Sequence, residues 1–277
     1  PGRPRWLSAG LLDYVAPMFE QNEHLDPDLP FEETAALARQ HGCFVYPAVR
    51  PFRTKEHGPV LGSAANYLRK GADALYLMQM SWPTCAIDDE ARSLLGYLGD
   101  AELLWRRSRH FFVSPNDPAA AAYGITSPLP AELSPPGGAA TTFRLYIGDD
   151  LHAAKEMGLL RSVCLRLRLT SVSISDTIVV SIGREDGSEM AAVQPLGRTW
   201  DAVSYAYAWV SYPLLAEQPE ALPRAGPNTV SVAITSRPHE LGGVVQLMDC
   251  ELLVEFVQQR NRVPHDLWPP LAGPGRL

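Results

Sequence analysis

"SVCLRLRLTSV", residues 162–172, is the clearest strand in the sequence. Leu165, Leu167 and Leu169 alternate with Arg166 and Arg168. In an extended chain successive side chains point to opposite faces, so one face of this segment is apolar and the other is charged. Such alternation is typical of a strand that packs one face on a core and exposes the other to water. We therefore predict a strand of an antiparallel sheet here.

Similar runs surround this strand throughout the second half of the chain, and turn residues separate them. Six or more strands without a long helix predict an antiparallel β-sandwich of jelly-roll type, which we assign to residues 141–260. The alternating runs are 141–150, 162–172, 176–183, 205–214, 228–236 and 244–256.

Aromatic residues are concentrated in the run 205–214. Tyr205, Tyr207 and Trp209 share one face of the strand because they are spaced two residues apart. An exposed aromatic face would suit carbohydrate binding. A position in the sandwich core is the favoured interpretation, because aromatic side chains gain much free energy from burial.

The first part of the chain has a different pattern. Short apolar runs at 11–19, 43–51 and 72–80 alternate with segments of helical pattern. Strands that are apolar on both faces and alternate with helices are typical of a parallel sheet covered by helices. We assign residues 1–115 to this α/β part. Residues 116–140, within a stretch dense in Pro, Gly and Ala, are predicted to be a linker or surface crossing, and residues 261–277 a flexible tail.

The three runs "LLDYVAPMF", "CFVYPAVRP" and "LRKGADALYLMQMSW" resemble the last three strands of a glycoside-hydrolase-like (β/α)8 barrel. They are similar to bacterial putative glycosidases of the family-10-like type, and the second half resembles the jelly roll appended to such barrels. The resemblance implies an α/β plus all-β fold, in which three strand–helix units of a TIM-type barrel precede the sandwich. Three units cannot close a barrel. The missing N-terminal half is therefore expected upstream in the same protein, or a partner chain replaces it.

The barrel interpretation selects the candidate site residues, because barrel active sites lie at the C-terminal ends of the strands. Glu20 is the candidate catalytic carboxylate, and its alternative is a solvated loop residue. Glycoside hydrolysis needs two carboxyl groups, and the second is not identified. Trp82 could stack on a sugar ring or pack under the next helix. The remaining candidate substrate-binding residues are Gln21, Arg50, Arg53 and Gln79. For the two arginines the favoured alternative is an ion pair with neighbouring carboxylates on the barrel rim.

Several function classes are disfavoured by composition and motifs. The net charge of −7 argues against a nucleic-acid partner, and no apolar stretch is long enough for a membrane span. Neither CxxC nor HExxH spacing occurs, and no P-loop or GxGxxG is present, so neither a metal nor another cofactor is expected. The sequence leaves the compartment open between a bacterial cytoplasm and a secreted or periplasmic location.

Two functional hypotheses follow. The leading one is a C-terminal fragment of a glycoside-hydrolase-like protein that acts on polysaccharide or oligosaccharide by carboxylate acid/base chemistry. The alternative is a non-catalytic carbohydrate-binding or surface scaffolding protein with a degenerate barrel. Carbohydrate is the expected ligand in both.

Overall fold

The fold is described from a computed structural model. The structure describes residues 3–18, 25–49, 57–78, 89–98, 104, 107–114, 127–200, 207–215 and 218–257. Within these residues the chain is mainly β, and most of its strands belong to two antiparallel sheets.

The helices are α1 (Arg3–Ser8), α2 (Glu32–Gln40), α3 (His57–Arg69), α4 (Asp89–Leu98) and α5 (Leu151–Glu156), with a 3₁₀ turn at Pro219–Ala221. The strands are β1 (Tyr14–Val15), β2 (Phe44–Val45), β3 (Ala48–Val49), β4 (Tyr76–Leu77), β5 (Arg109–Phe112), β6 (Ala131–Glu132), β7 (Thr141–Ile147), β8 (Leu160–Thr170), β9 (Thr177–Arg184), β10 (Ala191–Val193), β11 (Gly197–Trp200), β12 (Tyr207–Pro213), β13 (Gly226–Ser236) and β14 (Gln246–Phe256).

The two antiparallel sheets pack on each other across one apolar core. The larger sheet has the strand order β11-β12-β8-β14-β5, and β6 also pairs with β14. The smaller sheet has the order β10-β9-β13-β7. Buried side chains from both sheets, such as Leu167 of β8 and Val232 of β13, belong to the same core cluster. This two-layer arrangement buries one face of each sheet, and the other face is half-exposed on β8 and β12.

Strand β8 lies in the middle of the larger sheet. Leu165, Leu167 and Leu169 are fully buried, whereas Arg166 and Arg168 lie on the outer face. The neighbouring strand β14 carries Cys250, whose thiol is buried and free, and Cys164 of β8 is also free. Cys250 pairs with inward-facing Leu167, so the two cysteines point to opposite faces of the sheet.

The predicted fold class is wrong for the first part of the chain. The three apolar runs do not form strand–helix units of a barrel. They contain strands of only two residues, which form two separate parallel pairs, β1 with β2 and β3 with β4. Proline explains the short strands, since it lacks an N–H to donate to a ladder. Pro17 follows β1, and Pro47 separates β2 from β3.

Helix α3 joins this first part to the two-layer β structure. It packs against β5, where Gly62 lies so close that a Cβ would stand 2.0 Å from the His110 carbonyl oxygen. Gly148 makes a similar approach to the α3 backbone at Ala65. The absence of a Cβ at both glycines therefore permits this contact.

A buried ion pair lies at the same junction. An Arg109 guanidinium nitrogen is 3.2 Å from a carboxylate oxygen of Asp149, and both side chains are at most 2% exposed. Burial lowers the pKa of Arg109 and raises the pKa of Asp149, and the attraction between the two charges opposes both shifts. The Asn66 side-chain amide on α3 donates to the Tyr146 carbonyl of β7 at 3.1 Å. Helix α3 in the first part of the chain and the two-layer β structure are thus in direct polar contact.

Among the described residues, the helices are all too short or too polar to cross a lipid bilayer.

Candidate ligand-binding face

The six site residues predicted from the barrel resemblance lie outside the described part of the chain. The structure therefore gives no geometry for the predicted active site. These residues are Glu20, Gln21, Arg50, Arg53, Gln79 and Trp82.

The best-defined candidate site is instead the outer face of the larger sheet. Two aromatic, two basic and two acidic side chains from three adjacent strands share this face. We call this group the arginine–aromatic ladder; its members are Arg166 and Arg168 of β8, Tyr207 and Trp209 of β12, and Asp249 and Glu251 of β14.

Strand register brings the ladder together. Arg168 on the central strand lies opposite Trp209 on one side and Asp249 on the other. Two residues further along β8, Arg166 lies opposite Ser211 and Glu251. Neighbouring strands in a sheet are about 4.8 Å apart, so each row of three side chains spans about 10 Å.

A β-bulge in β14 places the acidic residues on this face. Leu247 pairs with Leu169 on the inner face, and Asp249 already pairs with Arg168 on the outer face. Met248 is therefore the extra residue that changes the alternation. Without the bulge, Asp249 would follow Leu247 into the core. The sequence contains a signal for this change, because "LMDCEL" breaks the apolar–polar alternation, but sequence analysis missed it.

The contacts within the ladder are of two kinds. The Arg166 guanidinium lies 4.3 Å from the centre of the Trp209 ring, and that of Arg168 lies 4.0 Å from the centre of the Tyr207 ring. Both distances are within the range of cation–π contacts. Each arginine also forms an ion pair across the other strand, at 3.2 Å to Glu251 and 2.9 Å to Asp249. Contacts on both sides therefore hold each guanidinium in one orientation.

The ladder remains accessible. Its four charged side chains are 20–37% exposed, and Tyr207 and Trp209 are half-buried. Their two positive and two negative charges balance. The face therefore offers aromatic surface, fixed hydrogen-bond donors and fixed acceptors without an excess of charge.

The sequence favoured a core position for Tyr205, Tyr207 and Trp209. This prediction is wrong for Tyr207 and Trp209. Tyr207 and Trp209 face outwards, and Tyr205 lies outside the described residues. The core positions of β12 belong to Ala208, Val210 and Tyr212, all at most 2% exposed. Burial raises the pKa of the Tyr212 hydroxyl.

A second aromatic group, with three exposed rings and the half-buried Tyr46, lies on the small parallel pairs. We call it the aromatic side of the small sheets; it comprises Tyr14, Phe44, Tyr46 and Tyr76. The Tyr46 ring stacks on Tyr14 and on Phe44, with centre-to-centre distances of 5.5 and 5.9 Å. On the opposite side, Val45 and Val49 are buried in the core formed with α2 and α3.

Polar groups beside these strands have structural partners. The Asp73 carboxylate accepts a hydrogen bond from the Val45 amide at 2.8 Å, which fixes the loop before β4 to β2.

A small pocket of about 60 Å³ elsewhere is lined by Arg184, Arg224 and Glu189, whose carboxylate bridges the two arginines. Ligand pockets usually measure about 300–1,000 Å³, so this one is too small for a sugar ring.

No protein-family model matches the chain, and a comparison with curated proteins finds no match. The resemblance to family-10-like glycosidases therefore stays a prediction. In the described part of the chain, no group of three or more His, Cys, Asp or Glu side chains is arranged to bind a metal ion.

Proposed function

We propose that this protein binds carbohydrate non-catalytically through the arginine–aromatic ladder. The supporting observation is the half-exposed pair Tyr207 and Trp209, held beside two arginines and two carboxylates on one face of a sheet. A pyranose ring has apolar C–H faces and a rim of hydroxyl groups. Aromatic surface next to fixed donors and acceptors matches both features.

The ladder also has a suitable shape. A sheet face is an open surface, so it can accept an internal segment of a long polymer, whereas a closed pocket would admit only a chain end. Thr170 and Gln246 form the next row of the same face, beside Tyr207. They extend the polar surface by one further row of side chains, about 7 Å along the strands.

The hydrolase hypothesis stays a prediction. It depends on Glu20, which lies outside the described residues, and on a second carboxylate. Its test is turnover of polysaccharide by the native gene product and by a Glu20→Gln variant. Unchanged turnover in the variant would remove Glu20 from consideration, and loss of turnover with retained binding would support an acid/base role.

The ladder proposal is tested by affinity electrophoresis in gels that contain soluble polysaccharides. Wild type should be retarded by at least one polysaccharide, and Trp209→Ala should lose most of that retardation because it removes the largest apolar surface of the ladder. Trp6→Ala is the matched control, since Trp6 is an exposed tryptophan on α1. Equal retardation of all three proteins would contradict the proposal.

We also propose that a protein layer covers the aromatic side of the small sheets. Parallel sheets are normally buried on both faces, whereas Tyr14, Phe44 and Tyr76 are each about half exposed here. The proposed occupant is a further part of the same protein, outside residues 1–277.

The covering layer is tested by thiol labelling of Phe44→Cys in residues 1–277 and in the native gene product. At least about tenfold slower labelling in the native protein is expected, because a covered thiol reacts only when the contact opens. Trp6→Cys provides the comparison. Equal labelling of Phe44→Cys in both proteins would contradict a covering layer.

A further inference from the structure

We infer that the arginine–aromatic ladder selects uncharged glycans, and that Arg166 and Arg168 act on the ligand as oriented hydrogen-bond donors and not as a positive surface. This inference rests on the proposed carbohydrate function and specifies its ligand class.

The charge balance of the ladder is the first argument. Arg168 is 2.9 Å from Asp249, and Arg166 is 3.2 Å from Glu251. A uronate or sulfate group would have to replace one of these carboxylates or approach it at close range. Like charges at such distances repel, so the attraction to the arginine is offset.

Among the described residues, the neighbouring charges on these strands add no net positive charge. The next ion pair along the same two strands, Arg161 with Glu255, is also balanced. Glu132 of β6 lies opposite Gln246 at the other end of β14. With a formal net charge of −7, the whole chain repels polyanions at long range.

The orientation of the donors is the second argument. Each guanidinium lies against an aromatic ring on one side of β8 and against a carboxylate on the other. An arginine presents several N–H groups in one plane, and here the neighbours hold that plane in place. A sugar hydroxyl can accept from the guanidinium and donate to the adjacent carboxylate. Because these groups are already ordered, little side-chain entropy is lost on binding.

The geometry also identifies Arg168 and Asp249 as specificity-determining residues. Arg168 lies against the Tyr207 ring and forms an ion pair with Asp249, so a sugar ring stacked beside Tyr207 has its hydroxyl rim over this pair. Removing the carboxylate would leave Arg168 uncompensated. The site would then attract acidic sugars and lose an acceptor for neutral ones.

The test measures the binding of the whole chain to two sets of polysaccharides. One set is neutral (glucans, xylans and mannans), and the other contains uronate or sulfate groups. Binding is measured at about 20 mM and about 500 mM NaCl, since high salt screens exposed charges. We expect wild type to bind a neutral polymer with less than about twofold change between the two salt concentrations, and to bind charged polymers at least about fivefold more weakly.

Two variants sharpen the result. Asp249→Asn should lose at least about threefold in binding to the neutral polymer and gain salt-sensitive binding to a uronate polymer. Arg168→Lys keeps the charge but lacks the planar donors, and should lose neutral binding by a similar factor. Asp186→Asn, an acidic residue in the β9–β10 turn, is the matched control and should bind as wild type does.

The outcomes separate the inference from the proposed function. Tighter binding of charged than of neutral polymers, or full neutral binding by Arg168→Lys, would overturn the inference and leave carbohydrate binding intact. Binding of neither set by the folded wild-type protein would overturn both.

Discussion

Two half-exposed aromatic surfaces lie on sheets of this molecule, and they differ in their partners. On the ladder, Tyr207 and Trp209 contact guanidinium groups that are paired with carboxylates. On the aromatic side of the small sheets, Tyr14 and Phe44 stack only on another ring, that of Tyr46, in the contacts described. The first surface is a mixed polar and apolar face, and the second is predominantly aromatic.

The difference shows that exposure alone does not identify a binding surface for sugars. A polar ligand needs donors and acceptors beside the apolar contact, because its own hydroxyl groups lose water on binding. The ladder provides these groups. The aromatic side of the small sheets is better matched by an apolar protein layer, whose burial would remove the rings from water.

The largest expected effect concerns the contact between the first part of the chain, which carries the small sheets, and the two-layer β structure, which carries the ladder. Asp149→Ala removes the buried carboxylate that forms an ion pair with the Arg109 guanidinium. Breaking such a pair typically costs about 3–5 kcal/mol. Urea denaturation should therefore show this loss in the free energy of unfolding, in a transition shared by both regions.

The double replacement Arg109→Met with Asp149→Leu is the control for this prediction. Replacing both charges with apolar side chains should cost about 2 kcal/mol less than Asp149→Ala, because neither position then buries a charge. Two separate transitions in wild type, with only one affected by Asp149→Ala, would show that the junction does not couple the regions.

The position of the two ladder arginines depends on how the inner face of their strand, β8, packs in the core. Leu167→Ala removes a fully buried side chain between Arg166 and Arg168 and should cost about 2–5 kcal/mol. Arg168→Ala, on the outer face, should cost only about 1 kcal/mol or less, because its ion pair is partly exposed. Equal losses, measured by chemical denaturation, would mean that the ladder itself is a major stabilising element.

The aromatic side of the small sheets should contribute little to stability. The double variant Tyr14→Thr, Phe44→Thr should lose no more than about 1.5 kcal/mol in the free energy of unfolding, since only ring stacking and partial burial are lost. Binding of a hydrophobic dye should fall, because the exposed aromatic area decreases. A loss above about 3 kcal/mol would instead assign these rings to a core.

The smallest expected effect is a change in pH dependence near α2. Burial raises the pKa of the Asp26 carboxyl, an effect opposed by the hydrogen bond from the Asp28 amide. A raised acid pKa favours folding below the unfolded value, about 3.9, and that contribution is lost as the pH rises through the folded value. Asp26→Asn does not titrate and retains an oxygen that can accept the hydrogen bond.

The free energy of unfolding of Asp26→Asn relative to wild type should therefore rise from about pH 4 to about pH 7, by about 1 kcal/mol or less. Urea denaturation at both pH values measures this difference. A gain that is larger at pH 4 than at pH 7 would contradict the assigned direction of the shift.

The sequence predicts the β-rich second half because its signals are local. The alternation around Leu167 indicates which side chains of β8 share a face, and the structure places them accordingly. The same logic fails in the first part of the chain. There the apolar runs suggest long parallel strands, but Pro17 and Pro47 have no N–H to donate. The regular ladders cover only two residues per strand, and single hydrogen bonds to the Pro17 and Pro47 carbonyl oxygens flank them.

By itself the sequence determined which side chains alternate, the acidic charge balance and the absence of common nucleotide and metal motifs. Only the tertiary structure decided which face of β12 is buried. Tyr207 and Trp209 alternate with Ala208 and Val210, so both faces of the strand are apolar and local pattern cannot choose between them. The choice depends on non-local packing, in which Ala208 and Val210 join the core cluster shared by the two sheets. A one-residue bulge at Met248 then sets Asp249 opposite Arg168 and completes the ladder.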